Sequence, residues 1–316
     1  MRKVIVLLMC AGLVNCSYAR KKSPEFEKAL VKGAQMRMIL RVHDDEGLPV
    51  KSAKVRTVVE NLYTIYNILG ETDTNGTCVV EGVATGNRIE IFIEKDGYYR
   101  THRKYCFITM GAEREVKDGK WQPYGDREEV LLRKIRNPMV LAKSYTVDFR
   151  YVNVLHEWIG FDLERNAFVK PFGVGETADF EVQFDWNGKW LPEYTGMGVK
   201  VRFAEPMSGY YVVKAKKESE FTGPYEARTN ELLALSAEFS EKMMPDKSRK
   251  QVHFDDSTCW VVRSRCQVDE KGNLMSANYS VVYGIEFTCD RGRLAGLRVN
   301  GRFNPTPNDT NLEAKQ

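Results

Sequence analysis

The chain has 316 residues, 43% hydrophobic and 28% charged, with a formal net charge of +4. That composition is ordinary for a globular protein and excludes a disordered chain, and the length suits two domains of about 150 residues each. The small charge, with basic and acidic residues interleaved, leaves no electrostatic footprint for nucleic acid.

The first segment, MRKVIVLLMCAGLVNCSYA, starts basic (Arg2, Lys3), continues apolar from Val4 to Val14 and ends on Ser17, Tyr18 and Ala19. This is the layout of a secretory signal peptide over residues 1–19, so the expected location is periplasmic or extracellular. The apolar run is shorter than the about 20 residues that span a bilayer, and no later stretch reads as a membrane helix. Leu13-Val14-Asn15-Cys16 loosely resembles a lipobox, which makes a lipid anchor on Cys16 a minor alternative. Of seven cysteines, Cys10 and Cys16 fall in the signal, leaving Cys78, Cys106, Cys259, Cys266 and Cys289. An odd set leaves at least one thiol unpaired within the chain. No C-x-x-C pair supports a structural zinc site. Cys78 with Cys106 is the first choice for a disulfide because both fall in one expected domain, and small buried thiols are the alternative.

After a charged lead-in over 20–34, the elements read as strands. Met36, Met38, Leu40 and Val42 alternate with Arg37, Ile39 and Arg41, the period of a half-buried strand. Asp44-Asp45-Glu46-Gly47 turns the chain, and Pro49 suits a strand edge. AKVRTVVE and LYTIYNI follow, then the Asp73-Thr74-Asn75-Gly76 turn, where Asp and Asn accept local backbone bonds and Gly supplies positive φ. TCVVEGV, NRIEIFIEKDGYY, YCFITM and REEVLLRKI complete a run without helical period. The expectation for 35–136 is an all-β sandwich of about seven strands.

The order D-x-x-G-x-P-V-x-x-A-x-V, T-D-x-x-G and I-x-I-x-I-x-K-x-G-Y resembles the carboxypeptidase regulatory-like family of transthyretin-like, immunoglobulin-like sandwiches. The residues concerned are Asp45, Gly47, Pro49, Val50, Ala53 and Val55, then Thr72, Asp73 and Gly76, then Ile89, Ile91, Ile93, Lys95, Gly97 and Tyr98. The resemblance covers about a third of the chain and implies a non-catalytic spacer, docking unit or folding partner of an exported bacterial protein. It also implies that Tyr98 packs in the core. Related pilin-type sandwiches with internal cross-links carry a Lys on the first strand. MRMILRV has Arg there, so no isopeptide bond is expected.

Asn137-Pro138 marks the expected handover to a second β-rich domain over 137–304, followed by a tail over 305–316. ADFEVQFDW alternates, with Phe180, Val182, Phe184 and Trp186 on one face, and Asn187-Gly188 is a strong hairpin signal. VKVRF, YYVVKAK, a long hairpin turning at Glu270 to Asn273, and LAGLRVNGRF add strands. YEARTNELLALSAEFSEKMM places Leu232, Leu235, Phe239 and Met243 three or four apart. That spacing predicts an amphipathic helix, capped by Thr229 or Asn230, lying on a sheet. The fold class is therefore mostly β, two antiparallel β domains, the second a sandwich with one helix. GFDLERNAFVKPFGVGETADFEVQF and NPTPNDTNLE resemble segments of exported bacterial proteins of unassigned activity.

Chemistry-bearing motifs are few. His43, His102, His156 and His253 lack H-E-x-x-H spacing, no G-x-S-x-G elbow occurs, and GVGETAD is neither a phosphate loop nor a dinucleotide fingerprint, so no metal or cofactor is expected. Asp44, Asp45 and Glu46, like Asp73 and Asn75, read as solvated turns because neither stretch completes a calcium-ligand series. Trp186, Trp190 and Tyr194 with Asp185 and Glu193 form a candidate platform for sugar rings, which stack on flat aromatics while carboxylates accept hydroxyl hydrogen bonds. By alternation Trp186 belongs to the buried face of its strand. Tyr98, Tyr99 and Tyr105 gather around His102 at one end of the first sandwich. The leading expectation is an exported non-enzymatic binding or structural protein whose partner is an envelope protein or glycan. The alternative is a carbohydrate-active enzyme or sugar-binding accessory, with Glu157, Asp162, Asp179 and Glu193 as candidate carboxylates.

Overall fold

The computed structural model describes residues 23–60, 64–85, 88–105, 108–109, 112–113, 116–145, 155–186, 196–244, 246, 248–290 and 294–315. Residues 1–19, expected to form a signal peptide, and with them Cys16, lie outside the described residues. The lead-in is helical: α1 (Pro24–Lys32) is capped by the Ser23 side chain, which accepts from the Phe26 N–H at 3.2 Å. Pro24 opens it, Glu25 and Glu27 sit in its first turn and Lys32 in its last, the distribution that suits the helix dipole. Phe26 meets the buried Trp121 ring edge-on at 5.8 Å, which fastens the helix to the first sandwich. No described helix is long and apolar enough to cross a membrane.

The first sandwich holds β1 (Ala34–His43), β2 (Lys54–Glu60), β3 (Ile65–Glu71), β4 (Thr77–Ala84), β5 (Arg88–Glu94) and β6 (Thr101–Tyr105). Short strands follow, β7 (Ile108–Thr109), β8 (Ala112–Glu113), β9 (Val116–Lys117) and β10 (Lys120–Trp121), and then β11 (Asp126–Leu131). One sheet runs β11-β1-β10-β9 with β4 also on β1, and the other runs β3-β2-β5-β6. Met36, Met38, Leu40 and Val42 face Val55, Val59, Ile89, Ile91 and Ile93 in one core, the phase that the alternation predicts. Two pairings are parallel, both with β1: β11 lies along it from Met38↔Asp126 to His43↔Leu131, and β10 meets it at Gln35↔Lys120. Alternation alone carries no strand direction, so this was not legible.

Both early turns are corners of this sandwich. The Asp73 carboxylate accepts from the N–H groups of Asn75 and Thr77 at 2.9 and 2.8 Å, and Asp44 accepts from Glu46 and Leu48, both at 2.9 Å. Gly76 has φ +71°, and a Cβ there would stand 2.3 Å from the Val42 carbonyl oxygen, so the chain passes only without a side chain.

The second sandwich is built from β12 (Ala142–Tyr145), β13 (Trp158–Asp162), β14 (Ala167–Phe168), β15 (Phe180–Trp186), β16 (Gly196–Arg202) and β17 (Gly209–Lys214). It continues with β18 (Ser236–Met243), β19 (Arg249–Val252), β20 (Thr258–Val268), β21 (Leu274–Asp290) and β22 (Leu294–Phe303). A sheet ordered β14-β13-β15-β16-β18-β19 stacks on one ordered β12-β22-β21-β20-β17. Phe161, Phe180, Phe184, Trp260, Leu297 and Phe303 fill the space between them. The fold class is thus mostly β and sandwich-like, as the sequence predicts. The expected second-region helix is not present: Ser236–Met243 is strand β18, hydrogen-bonded to β16 on one side and β19 on the other. Leu232 and Leu235, the residues that created the helical spacing, are 93% and 60% exposed, so pairing on both flanks overrides a period whose apolar members have nothing to pack on.

The two sandwiches are joined by main chain as well as side chains. β6 is an edge strand, and residues from beyond β17 extend it: the His102 N–H donates to the Glu218 carbonyl at 2.8 Å and the Glu220 N–H to the Arg100 carbonyl at 2.9 Å. An otherwise open edge is thereby closed. Buried Arg133 lies between the rings of Phe221 and Tyr225 at 4.4 and 4.3 Å, and its Nε donates to Asp45 at 3.0 Å. The acidic turn therefore departs from expectation: Asp44 is buried and paired with Lys134 at 2.8 Å, and the neighbouring Asp45 accepts from the Tyr225 hydroxyl of the second sandwich at 2.8 Å. Burial raises the Asp44 carboxyl, but Lys134 and the N–H groups of Leu48 and Glu46 outweigh that and hold it below its ordinary value. The stretch after β22 is also firmly held, with Leu312, Glu313 and Ala314 all buried.

Candidate functional site

Inward residues of β13, β15, β16 and β18 are apolar, so the period of two sends their polar neighbours to the opposite, outer face. The strand register aligns them in cross-strand rows. Trp158 opposes Gln183, Gln183 opposes Lys200, and Lys200 opposes Glu238. In the next row Asp185 opposes Gly198, which opposes Ser240. With strands about 4.8 Å apart, the first row is about 14 Å long, the reach of a few sugar rings.

Gly196 and Gly198 keep side chains off β16 at this point, and a trench of about 260 Å³ opens beside them, walled by Asp185, Lys200, Glu238, Ser240 and Lys242. A Cβ on Gly198 would come within 3.0 Å of the Phe239 carbonyl oxygen, so the glycine also allows β16 and β18 to approach closely. Trp158 lies half-buried at the far end, with the Arg202 guanidinium over its ring at 4.1 Å, and Arg202 in turn pairs with Glu181 at 2.6 Å. His156 Nδ1 stands 3.7 Å from Asp185. Lys200 and Glu238 face each other across the strands, yet neither has an ion-pair partner among the described residues. The trench therefore offers acceptors on Asp185 and Glu238, donors on Lys200 and Lys242, and a hydroxyl of both kinds on Ser240.

The residues expected to form an aromatic platform belong to the end of β15 and the connection that follows it. Trp186 ends β15, but its side chain, with Trp190, Glu193 and Tyr194, lies outside the described residues. Sequence reading did pick out Asp185. It missed Trp158, Gly198 and Ser240, because only strand register shows that residues forty and eighty positions apart share a row. Cys78 is a buried free thiol, and Cys106, its expected partner, lies outside the described residues. Tyr98 packs against the core at half burial, and Tyr99 and Tyr105 are buried.

Two of the four candidate carboxylates do meet. Asp162 and Asp179 converge on Arg265, whose Nη2 lies 3.0 Å from Asp162 and whose Nε lies 3.0 Å from Asp179. Both are almost fully buried. Asp162 also accepts from the N–H groups of Arg165, Glu176 and Thr177, and Asp179 from Leu163 and the Ser264 hydroxyl. Burial pushes the Asp179 carboxyl up, ahead of the opposing pull of Arg265. At Asp162 burial also raises, but the three backbone donors and Arg265 prevail and hold it low. Arg265 sits at φ +52° in a bulge of β20, which turns its side chain towards the loop between β13 and β15. The cluster is a strap between the two sheets. Glu157 is exposed and stands apart from it. Among the described residues no group of three or more His, Cys, Asp or Glu side chains is arranged to hold a metal ion.

No protein-family model matches this chain, and no curated protein matches it. Among solved structures, 3-chlorocatechol 1,2-dioxygenase from Rhodococcus opacus aligns with 33% of this chain and 61% of its own, at 12% identity and a TM-score of 0.27. A DUF3823 family protein from Parabacteroides merdae aligns with 90% of this chain and 100% of its own, at 8% identity and a TM-score of 0.23. One from Bacteroides ovatus aligns with 84% and 97%, at 7% identity and a TM-score of 0.20. Likenesses this distant carry no argument about activity.

Proposed function

We propose that this chain is an exported, non-enzymatic binding protein of the bacterial envelope that holds a glycan on the outer face of its second sandwich. In this reading residues 35–136 form a carboxypeptidase regulatory-like domain that serves as spacer, and residues 137–304 form the ligand-carrying domain. The signal-like first 19 residues support export. The observation that carries the ligand class is the Asp185–Gly198–Ser240 row with the Trp158–Gln183–Lys200–Glu238 row beside it. Paired acceptors and donors around a glycine-floored trench match the vicinal hydroxyls of a sugar, and Trp190 and Tyr194 follow Asp185 within ten residues in the sequence. The rival reading, a carbohydrate-active enzyme, needs two carboxylates facing one bond; Asp162 and Asp179 instead share one guanidinium. Glycan-array screening followed by calorimetry tests the proposal. The expected result is a glycan whose affinity falls about tenfold in Ser240→Val and in Trp190→Ala, the scale of one lost hydrogen bond or ring contact. Binding to no glycan, or binding indifferent to both substitutions, overturns it.

A further inference from the structure

A second, larger depression lies on the other sheet of this sandwich and crosses to the first one. It is a series of three connected clefts. One of about 490 Å³ beside Phe287 and Arg298 shares Asp256, Tyr283 and Asn300 with a middle cleft of about 330 Å³. The middle cleft shares Ala215 and Lys217 with a third, of about 480 Å³, that reaches His43, Arg103 and Glu129 of the first sandwich. Shared walls make this one groove running from the β21–β22 hairpin to the junction of the sandwiches.

Its charge is not balanced. Each acidic side chain on its walls already has a basic partner: Glu129 with Arg41 at 3.8 Å, Glu218 with Arg103 at 3.4 Å and Glu220 with Arg100 at 2.6 Å. Asp256 pairs with Lys217 at 2.6 Å and Glu286 with Arg298 at 3.0 Å. Lys214, Lys216 and Arg302 line the same groove and have no acidic partner among the described residues. Three uncompensated cations thus face a concave, partly enclosed surface, where a field is focused more strongly than on a convex one. At the opposite end His253 and Phe287 stack at 6.2 Å, a flat surface for a ring. Between them the walls carry Thr222, Tyr283 and Asn300, which donate and accept hydrogen bonds.

We propose that this groove binds a linear acidic polysaccharide, its carboxylate or sulfate groups on Lys214, Lys216 and Arg302 and a sugar ring on the His253–Phe287 stack. An acidic peptide is the weaker occupant, because the nearby strand edge that an extended peptide would join, β6, is already taken by residues 218–220. The site is separate from the outer-face trench, and neither proposal needs the other.

Calorimetry on the intact chain tests it, with polygalacturonate as the carboxylate probe, dextran sulfate as the sulfate probe, and neutral dextran and poly-L-glutamate as controls. The expected result is binding to at least one acidic polysaccharide, weakened by salt, and about tenfold weaker in Lys214→Gln/Lys216→Gln and in Arg302→Gln. Lys214 and Lys216 are exposed, so the double variant keeps its unfolding transition. Ser240→Val, which lies in the trench, leaves this binding unchanged. Preference between the two probes identifies the anionic group. The proposal is overturned if neither acidic polysaccharide binds, if the substitutions have no effect, or if poly-L-glutamate binds as tightly as the sugars.

Discussion

Tyr99 and Glu313, 214 positions apart in sequence, meet in a buried hydrogen bond of 2.8 Å from the phenol to the carboxylate. The same carboxylate accepts from the N–H groups of Arg136 and Asn137 at 2.8 and 2.6 Å, so one side chain after the last strand organises the segment between the sandwiches. Burial, with Glu313 beside it, pushes the Tyr99 phenol above its ordinary value. Replacing Glu313 by Ala leaves three donors without their acceptor, that of Tyr99 buried and those of Arg136 and Asn137 partly so, and is expected to cost about 2–4 kcal/mol. Urea unfolding gives that difference directly, and a change below about 0.5 kcal/mol would show that water replaces the carboxylate.

Arg265→Met leaves Asp162 and Asp179 buried without their cation, and a loss of about 3–5 kcal/mol at neutral pH is expected. The deficit shrinks on acidification. Asp179 already has a raised carboxyl, and without Arg265 it rises further. A carboxyl raised in the folded state binds more protons folded than unfolded between its two pKa values, so stability falls as pH rises through that window. Denaturant titrations of the variant and the parent at about pH 7 and pH 4.5 therefore converge at the lower value; equal deficits at both would contradict the account.

Gly76→Ala places a side chain where φ is +71° and the Val42 carbonyl is too close. A cost of about 1–3 kcal/mol is expected, read as a lowered melting temperature. Gly97→Ala, also at positive φ but with open space around its Cβ direction, is the milder control.

Cys78 and Cys259 are buried free thiols, and burial pushes the Cys259 thiol up to about 12. Thiolate is the reactive form, so both are expected to resist alkylation in the native chain and react after unfolding. Peptide mapping by mass spectrometry reads this. Rapid native labelling of Cys259 would mean that the β20 face opens readily.

Much of the first sandwich was legible because one chemistry decides it: alternate side chains leave water, and Asp-containing turns satisfy their own backbone. Met36 to Val42 and Ile89 to Ile93 needed no further information. The second-region helix failed for a physical reason. Leu232 and Leu235 satisfy a helical spacing without a surface to cover, while Phe239 satisfies both a helix and a strand, and pairing with β16 and β19 settles it. The site was legible only in part. Asp185 lines the trench, but Trp158, Lys200 and Ser240 come to this face through register, which is a property of the paired strands and not of any one of them.

The parallel pairing of β1 with β11 has a mechanical consequence. A pull applied through α1 draws β1 by its first residue, and the second sandwich draws β11 by its last, so the two strands are hauled past each other lengthwise. The bonds from Met38↔Asp126 to His43↔Leu131 then share the load at once and cannot open one by one. Pulled from its two ends, the first sandwich resists as a clamp.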